Sequence, residues 1–222
     1  MNKPYAACIF DLDGTLADTL HSIAYFGNCT LESFGLPAID IMDYRFLVGN
    51  GADVLMERML AHVGAHFTGE ARRAFRAEYD SRYAADPLAL VGAYPGVPEV
   101  LEYQHSQGMR LGVLSNKPDD MTQAIVAELY PGIFDAIHGQ REGIPTKPDP
   151  TALLAMAEEL GVTPQETLYI GDSGVDMDAG RNAGMDTCGV RWGFRSQEEL
   201  LEHGARYLAG DPMQLKDIIE KQ

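Results

Sequence analysis

The second half of the sequence alternates short apolar runs with amphipathic segments, and this alternation limits the possible folds more than any other feature. After Tyr94-Pro95-Gly96, apolar runs of strand length occur at 110–114, 133–138, 167–170 and 186–190. Segments with apolar residues three or four positions apart follow them, which predicts helices. Strands that alternate with helices form a parallel sheet with helices on both faces. We therefore predict an α/β fold built on a Rossmann-like parallel sheet.

The first apolar run of the chain ends in two acids that lie two positions apart. The run 5–10 has the length of a buried strand, and Asp11-Leu12-Asp13-Gly14-Thr15 follows it. Residues two apart on an extended chain point the same way, so Asp11 and Asp13 would project together. Gly14 allows a tight turn whose N–H groups approach an anion. Paired carboxylates attract a hard cation such as Mg²⁺, and one of them can attack phosphorus. A solvated acidic turn is the alternative.

Polar residues also follow three later strands of the predicted sheet. Their positions are Ser115 and Asn116, then Lys147 in a loop, then Asp172 with Asp176 close behind. Ligands of parallel sheets bind beyond the carboxyl ends of the strands, so these residues and the first two acids would meet there. Singly, each is an ordinary turn, loop or helix cap. Together they predict an oxygen-rich Mg²⁺ pocket with a lysine for a phosphoryl group.

The region between the first motif and the alternating half contains helical patterns and no convincing strand. Helices are predicted from about residue 20, with Asp18 as N-cap, and at 39–47, from about 54 to 64, and at 69–84. The predicted domains are therefore an α/β core, formed by residues 1–15 and 91–222, and an inserted helical domain at 16–90. Short hinges at 14–15 and 86–92 would connect them.

Composition excludes several classes of partner. Lys+Arg 17 against Asp+Glu 33 gives a formal net charge of −16, which repels nucleic acids and anionic lipid. Cys8, Cys29 and Cys188 form neither a CxxC motif nor a disulfide framework, which indicates a reducing compartment. No signal peptide or membrane-length apolar segment is found. We expect a cytoplasmic protein, a monomer or homodimer, whose partner is a small phosphorylated metabolite.

Four motifs in this order resemble those of haloacid dehalogenase (HAD) superfamily phosphatases with a helical cap. They are Asp11-Leu12-Asp13-Gly14-Thr15-Leu16, Leu114-Ser115-Asn116-Lys117-Pro118, Lys147-Pro148-Asp149-Pro150 and Gly171-Asp172-Ser173-Gly174-Val175-Asp176. The segments 48–52, 94–97 and 116–118 are similar to those of phosphoglycolate phosphatases in particular. The resemblance covers essentially the whole chain and implies that residues 16–90 are the cap.

The resemblance implies a role for each motif residue. Asp11 would be the nucleophile and a Mg²⁺ ligand, and Asp13 the general acid and base, with its backbone carbonyl on the metal. Asp172 would be a further ligand, and Asp176 would lie at or just behind the metal. The phosphoryl group would be bound by the remaining motif residues, which are Gly14, Ser115, Asn116 and Lys147.

The resemblance also suggests a substrate and leaves alternatives open. The leading candidate is phosphoglycolate, whose carboxylate would bind cap residues, namely Arg45 or the loop of Gly49, Asn50 and Gly51. A solvated helix charge is an equally good interpretation of Arg45. Asp13 argues against the dehalogenases, and the absence of lysine from 16–90 argues against phosphonate cleavage. A phosphosugar mutase similar to β-phosphoglucomutase, a pyrophosphatase and a non-catalytic phosphate-binding module remain open.

Overall fold

The computed structural model of the protein describes residues 5–220 and centres on the parallel sheet that the sequence predicts. Six strands form the sheet: β1 (Ala7–Phe10), β4 (Arg110–Pro118), β5 (Ala136–Gln140), β6 (Thr167–Gly171), β7 (Asp186–Val190) and β8 (Tyr207–Ala209). Their spatial order is β5-β4-β1-β6-β7-β8, and every neighbouring pair is parallel. Phe10 is in register with Val113 and Ile170, so the carboxyl ends of the three central strands lie together.

Helices cover both faces of the sheet because side chains along each strand alternate between two apolar clusters. In β1, Cys8 and Phe10 belong to one cluster, while Ala7 and Ile9 belong to the other. The first cluster includes residues of α5 (Val97–Ser106), α6 (Asp119–Leu129) and α10 (Pro212–Glu220). The second includes residues of α7 (Thr151–Glu159) and α8 (Gly174–Asn182). The predicted α/β class is confirmed.

Four further helices precede this alternating part and share a third apolar cluster. They are α1 (Leu20–Ser33), α2 (Tyr44–Leu47), α3 (Ala52–His62) and α4 (Gly69–Ala85), with a short 3₁₀ helix at Ile41–Asp43. Aromatic rings contribute to this cluster, and Phe26 stacks on Tyr83 at 4.7 Å between ring centroids. Met121 and Phe194, from the part that carries the sheet, also belong to this cluster.

One short strand overturns the expectation that residues 16–90 contain no strand, and its partner lies just after them. β2 (Ala17–Asp18) pairs antiparallel with β3 (Gly92–Ala93), so the two connections between the helical segment and the sheet lie side by side. A pair two residues long has no detectable periodicity in the sequence. Asp18 therefore lies in β2 and is not the cap of α1, whose N-cap position is Thr19.

Other differences concern element boundaries. β4 extends beyond the predicted end at Leu114 to Pro118, with a shift in its register to β5 between those residues. The predicted helix at 39–47 is instead the 3₁₀ helix followed by α2. A second 3₁₀ helix, Pro164–Glu166, precedes β6, and α9 (Gln197–Glu202) lies between β7 and β8. The predicted core boundaries include residues 1–4 and 221–222, which lie outside the described residues. Within residues 5–220, no helix combines the length and hydropathy needed to cross a bilayer.

Candidate active site

Asp11 lies where β1 ends, in the centre of the sheet. Its N–H donates to the carbonyl of Ile170 in β6 at 2.8 Å, and the chain then turns on the Leu12 carbonyl, which accepts three N–H groups. Gly14 has φ +86°, and a Cβ at this position would collide with the Asp172 carboxylate. The glycine therefore allows the first motif to pack directly against Asp172, which is distant from it in the sequence.

Lys147 holds two buried carboxylates at the centre of the site. Its Nζ donates to Asp11 at 2.8 Å, to Asp176 at 2.7 Å and to the Tyr169 hydroxyl at 2.8 Å, and also to the Leu114 carbonyl at 3.2 Å. Burial disfavours the charged amine, but the two carboxylates outweigh burial and raise the pKa of Lys147 well above its ordinary value. Lys147 is therefore a permanent positive charge beside Asp11.

Asp13 faces a different cation. The Nζ of Lys117 donates to its carboxylate at 3.0 and 3.3 Å and lies 4.6 Å from the centre of the Tyr83 ring in α4. Lys117 is buried, and its charge is compensated by this carboxylate and by the face of the ring. Asp11 and Asp13 thus have separate partners, although they are two residues apart. Lys117 lies within the second motif, whose sequence does not predict this pairing.

Ser115 and Asn116 are buried at the carboxyl end of β4. The Ser115 hydroxyl accepts the N–H of Lys117 at 3.1 Å. Asn116 exchanges two hydrogen bonds with the backbone of Lys147, accepting from its N–H at 2.9 Å and donating to its carbonyl at 3.1 Å. It also donates to the Gly49 carbonyl at 3.2 Å. Asn116 therefore fixes the loop of Lys147 and contacts the helical segment.

A group of three buried acids could hold a cation. Asp11, Asp172 and Asp176 each offer a carboxylate oxygen within 4.8 Å of the others. Asp176 already accepts hydrogen bonds from Lys147, Tyr169 and the Ser173 hydroxyl and N–H, so it has the least capacity for a metal. Asp172 accepts the Phe194 N–H at 2.6 Å. The Asp13 side chain is not in this group.

Burial of these acids without a cation disfavours their charged forms. Burial is the main cause that raises the pKa of Asp11 to about 7, against the lowering effect of Lys147. Burial, Asp176 and Asp11 raise the pKa of Asp172 well above its ordinary value. Two neighbouring carboxylates that are both costly to ionise form a donor set that a divalent cation would stabilise. The residues present therefore fit a metal.

A cavity of about 60 Å³ opens beside these residues. Its polar lining includes Asp11, Asp13, Asp172, Ser115 and Asn116, and the helical segment contributes Gly49 and Gly51 together with apolar and aromatic side chains. These two glycines have positive φ angles of +109° and +83°, so the loop approaches the sheet in a conformation that other residues rarely adopt. The volume suits a small ligand.

Two predicted cap residues do not line this cavity. Arg45 donates from Nε to the Phe194 carbonyl at 3.0 Å, and the Asn50 side chain accepts from Arg58 at 2.8 Å. Arg195 also lines the cavity, although it was not among the predicted site residues. Its position after β7 was the available signal, because that strand ends at the same edge of the sheet as the strands that carry the motifs.

Comparisons with known proteins agree on one family. The sequence model of the haloacid dehalogenase-like hydrolase family matches residues 8–190. The N-acetylmuramic acid 6-phosphate phosphatase of Pseudomonas aeruginosa is 31% identical over 97% of this chain and 95% of its own length. A phosphoglycolate phosphatase of Rhodospirillum rubrum is 34% identical over 95% of this chain and 89% of its own length.

Solved structures agree with this sequence similarity. A crystal structure from Lactobacillus delbrueckii subsp. bulgaricus, provisionally assigned as a phosphoglycolate phosphatase, has a TM-score of 0.92 and 30% identity, covering 98% of this chain and 99% of that one. CbbY from Rhodobacter sphaeroides, solved with phosphate, has a TM-score of 0.81 and 23% identity, covering 95% and 96%. The second similarity concerns the fold alone.

Proposed function

Since this chain belongs to the haloacid dehalogenase-like hydrolase family and resembles its phosphatases, we propose that it is a Mg²⁺-dependent phosphomonoester hydrolase that acts on a small phosphorylated acid. The observation that supports this most is the convergence of Asp11, Asp13, Lys147 and Asp172 at one edge of the sheet, around a small cavity. Phosphoglycolate is the leading candidate substrate.

In the proposed reaction Asp11 attacks phosphorus and forms an aspartyl phosphate, while the leaving oxygen takes a proton from Asp13. Water then loses a proton to Asp13 and hydrolyses the acyl phosphate. Lys147, beside Asp11, would offset the charge of the phosphoryl oxygens, and Gly14, Ser115 and Asn116 would line their binding site. Lys117 holds the Asp13 carboxylate at 3.0 Å, which orients the group that accepts the proton of water in the second step.

Mg²⁺ would be held by Asp11 and Asp172, with the backbone carbonyl of Asp13 as a further ligand. Hard cations of this kind bind carboxylate and carbonyl oxygens. The bound cation would neutralise charge as the phosphoryl group is transferred. Asp176, whose oxygens are occupied by Lys147, Tyr169 and Ser173, would orient Lys147 instead of binding the metal.

Residues 16–90 would form the cap and close the cavity. Support comes from their own apolar cluster, from the paired connections β2 and β3, and from Gly49 and Gly51 in the cavity wall. N-acetylmuramic acid 6-phosphate, named in one relative, is the second candidate and belongs in any substrate screen. The free cysteines fit a reducing compartment such as the cytoplasm.

Trapping the phosphoenzyme tests the covalent route. With nitrophenyl phosphate, whose leaving group needs little protonation, Asp13→Asn should still phosphorylate Asp11 and then accumulate the acyl phosphate, because water lacks its base. Turnover should fall roughly a hundred- to ten-thousand-fold. Intact mass spectrometry should detect a hydroxylamine-sensitive adduct in Asp13→Asn and none in Asp11→Asn. Phosphate on a serine or histidine, or turnover by Asp11→Asn, would contradict the mechanism.

Metal removal tests the cofactor. We expect phosphate release from phosphoglycolate to stop in excess chelator and to return with Mg²⁺, because the buried acids repel an anionic substrate. Asp172→Asn should require more Mg²⁺ for half-maximal activity. The matched control is Asp178→Asn, which changes an acid of α8 that pairs with His203 outside the acidic group. Full activity in chelator, or an equal effect of both substitutions, would rule out the assignment.

A further inference from the structure

Two cationic residues line the cavity within the part of the chain that the structure describes, Lys117 and Arg195. Lys117 is committed to Asp13 at 3.0 Å. Lys147, which does not line the cavity, is committed to Asp11 and Asp176. Arg195 also pairs with Glu199, but it keeps a donor without a partner, so it is the cation that a second anionic group of a substrate would use.

Arg195 has an unused donor. Its Nη2 donates to the Val48 carbonyl at 2.9 Å, and its Nε lies 3.3 Å from the Glu199 carboxylate. Its Nη1 is buried and has no hydrogen-bond partner. A buried donor without an acceptor is costly, and an arginine terminus provides two parallel donors that match a carboxylate. The described residues supply no acceptor to this Nη1, so an oxygen of a bound molecule would complete its hydrogen bonds.

The loop that carries Arg195 is fixed against the catalytic acids. Phe194 donates its N–H to Asp172 at 2.6 Å, and the Trp192 indole donates to the Thr15 carbonyl at 3.0 Å. A Cβ at Gly193 would collide with Asp172 and with the Gly14 backbone. Arg195 is therefore placed by the sheet and by the first motif, while its Nη2 reaches Val48 of the helical segment. Binding groups on rigid elements are positioned most accurately.

We propose that Arg195 is the specificity-determining residue that binds the carboxylate of the substrate's leaving group. This inference rests on the proposed phosphatase function and assigns that carboxylate to the loop after β7, not to Arg45, which does not line the cavity. The substrate class is then a phosphomonoester whose carboxylate lies a few atoms from phosphorus. Phosphoglycolate and N-acetylmuramic acid 6-phosphate both carry a carboxylate, but only in phosphoglycolate does it lie a few atoms from phosphorus.

Calorimetry with two ligands that cannot be hydrolysed tests this inference without relying on turnover. The Mg²⁺-loaded protein is titrated with 3-phosphonopropionate and with its carboxamide, which has the same shape but no second charge. We expect the wild type to bind the carboxylate about tenfold or more tightly than the amide, the usual gain from a hydrogen bond to a charged group. In Arg195→Gln this preference should disappear, while binding of the amide changes little.

The matched control is Arg58→Gln, because Arg58 also donates to Val48, at 3.3 Å, but does not line the cavity. It should keep the preference for the carboxylate. If Arg195 only fastens the loop, Arg195→Gln will weaken both ligands equally and the inference fails. It also fails if the wild type binds the two ligands equally or binds neither.

A second variant covers the case in which Arg195→Gln does not fold, and a hydrolysis assay separates this inference from the proposed function. If Arg195→Gln does not fold, Arg195→Lys replaces it, and its preference should lie below that of the wild type, because a single ammonium lacks the planar pair of donors. An unchanged preference in that variant overturns the inference. If the preference depends on Arg195 but no phosphoester is hydrolysed, the proposed function fails while the binding role stands.

Discussion

The residues at the centre of the site illustrate how a buried charge is sustained. Lys147 contacts Asp11 and Asp176, and all three residues are buried, so each group depends on the others for its charge. Removing one partner of such a cluster leaves an uncompensated charge, which costs far more than a surface ion pair contributes. A substitution at any of these three residues would therefore change both the stability of the fold and the charge of the site.

This dependence predicts a strong, non-additive effect at Lys147. Lys147→Gln should lower the free energy of unfolding by about 3–5 kcal/mol, because two buried acids lose their cation. Adding Asp176→Asn should restore part of the loss, since one of those acids is then neutral. Urea denaturation of the wild type, both single variants and the double variant gives the coupling energy. Strictly additive losses would indicate that the ion pairs do not form.

At the scale of elements, the main strands and helices could be predicted because burial imposes a periodic pattern of apolar residues on the sequence. β1 and the runs that became β4, β6 and β7 are apolar, and their polar successors sit at the expected edge of the sheet. The pairing of β2 with β3 and the extension of β4 to Pro118 depend on contacts distant in sequence. Arg195 was not predicted as a site residue for the same reason. The feature that singles it out is an Nη1 without a hydrogen-bond partner, which only the packed structure shows.

One residue in a connection between the two parts has an unfavourable backbone. Leu90, just before β3, has φ +58° and an exposed side chain. Left-handed backbone costs a residue with a Cβ roughly 1–2 kcal/mol, whereas glycine adopts it freely. We expect Leu90→Gly to increase the free energy of unfolding by about 0.5–1 kcal/mol after the added entropy of the unfolded chain is subtracted.

The control for this substitution is Leu88→Gly, in the same connection. Leu88 is also exposed and does not have a positive φ angle, so glycine should destabilise it. Urea denaturation of both variants measures the difference. If Leu90→Gly is as destabilising as Leu88→Gly, the left-handed backbone at position 90 carries no strain.

The molecule contains separate apolar clusters, and its cysteines differ in where they lie relative to them. Cys8 and Cys188 lie in the apolar cluster that contains Phe10 of β1. Burial there raises the pKa of the Cys8 thiol far above its ordinary value and that of Cys188 to about 12. Cys29 lies in α1 and is partly exposed. If residues 16–90 form a domain of their own, local opening there should leave the sheet closed.

Thiol labelling under native conditions tests this division. We expect iodoacetamide to modify Cys29 first, and Cys8 and Cys188 only at the rate set by global unfolding, because a buried neutral thiol does not react. Peptide mass spectrometry at several urea concentrations gives the three rates. Only the rates of Cys8 and Cys188 should depend steeply on urea. Equal rates at all three positions would mean that the molecule opens as one unit.

The central position of β1 also has a consequence during synthesis on the ribosome. Its neighbours in the sheet are β4 and β6, whose registers pair Ala7 with Arg110 and with Thr167. At about 5–20 residues per second, the first of these partners emerges roughly 5–20 s after β1. During that interval a fully apolar strand has no place to pair, while the helices of 16–90 can already form local contacts. β1, which ends just before Asp11, is therefore a segment of the nascent chain that is vulnerable to aggregation during that interval.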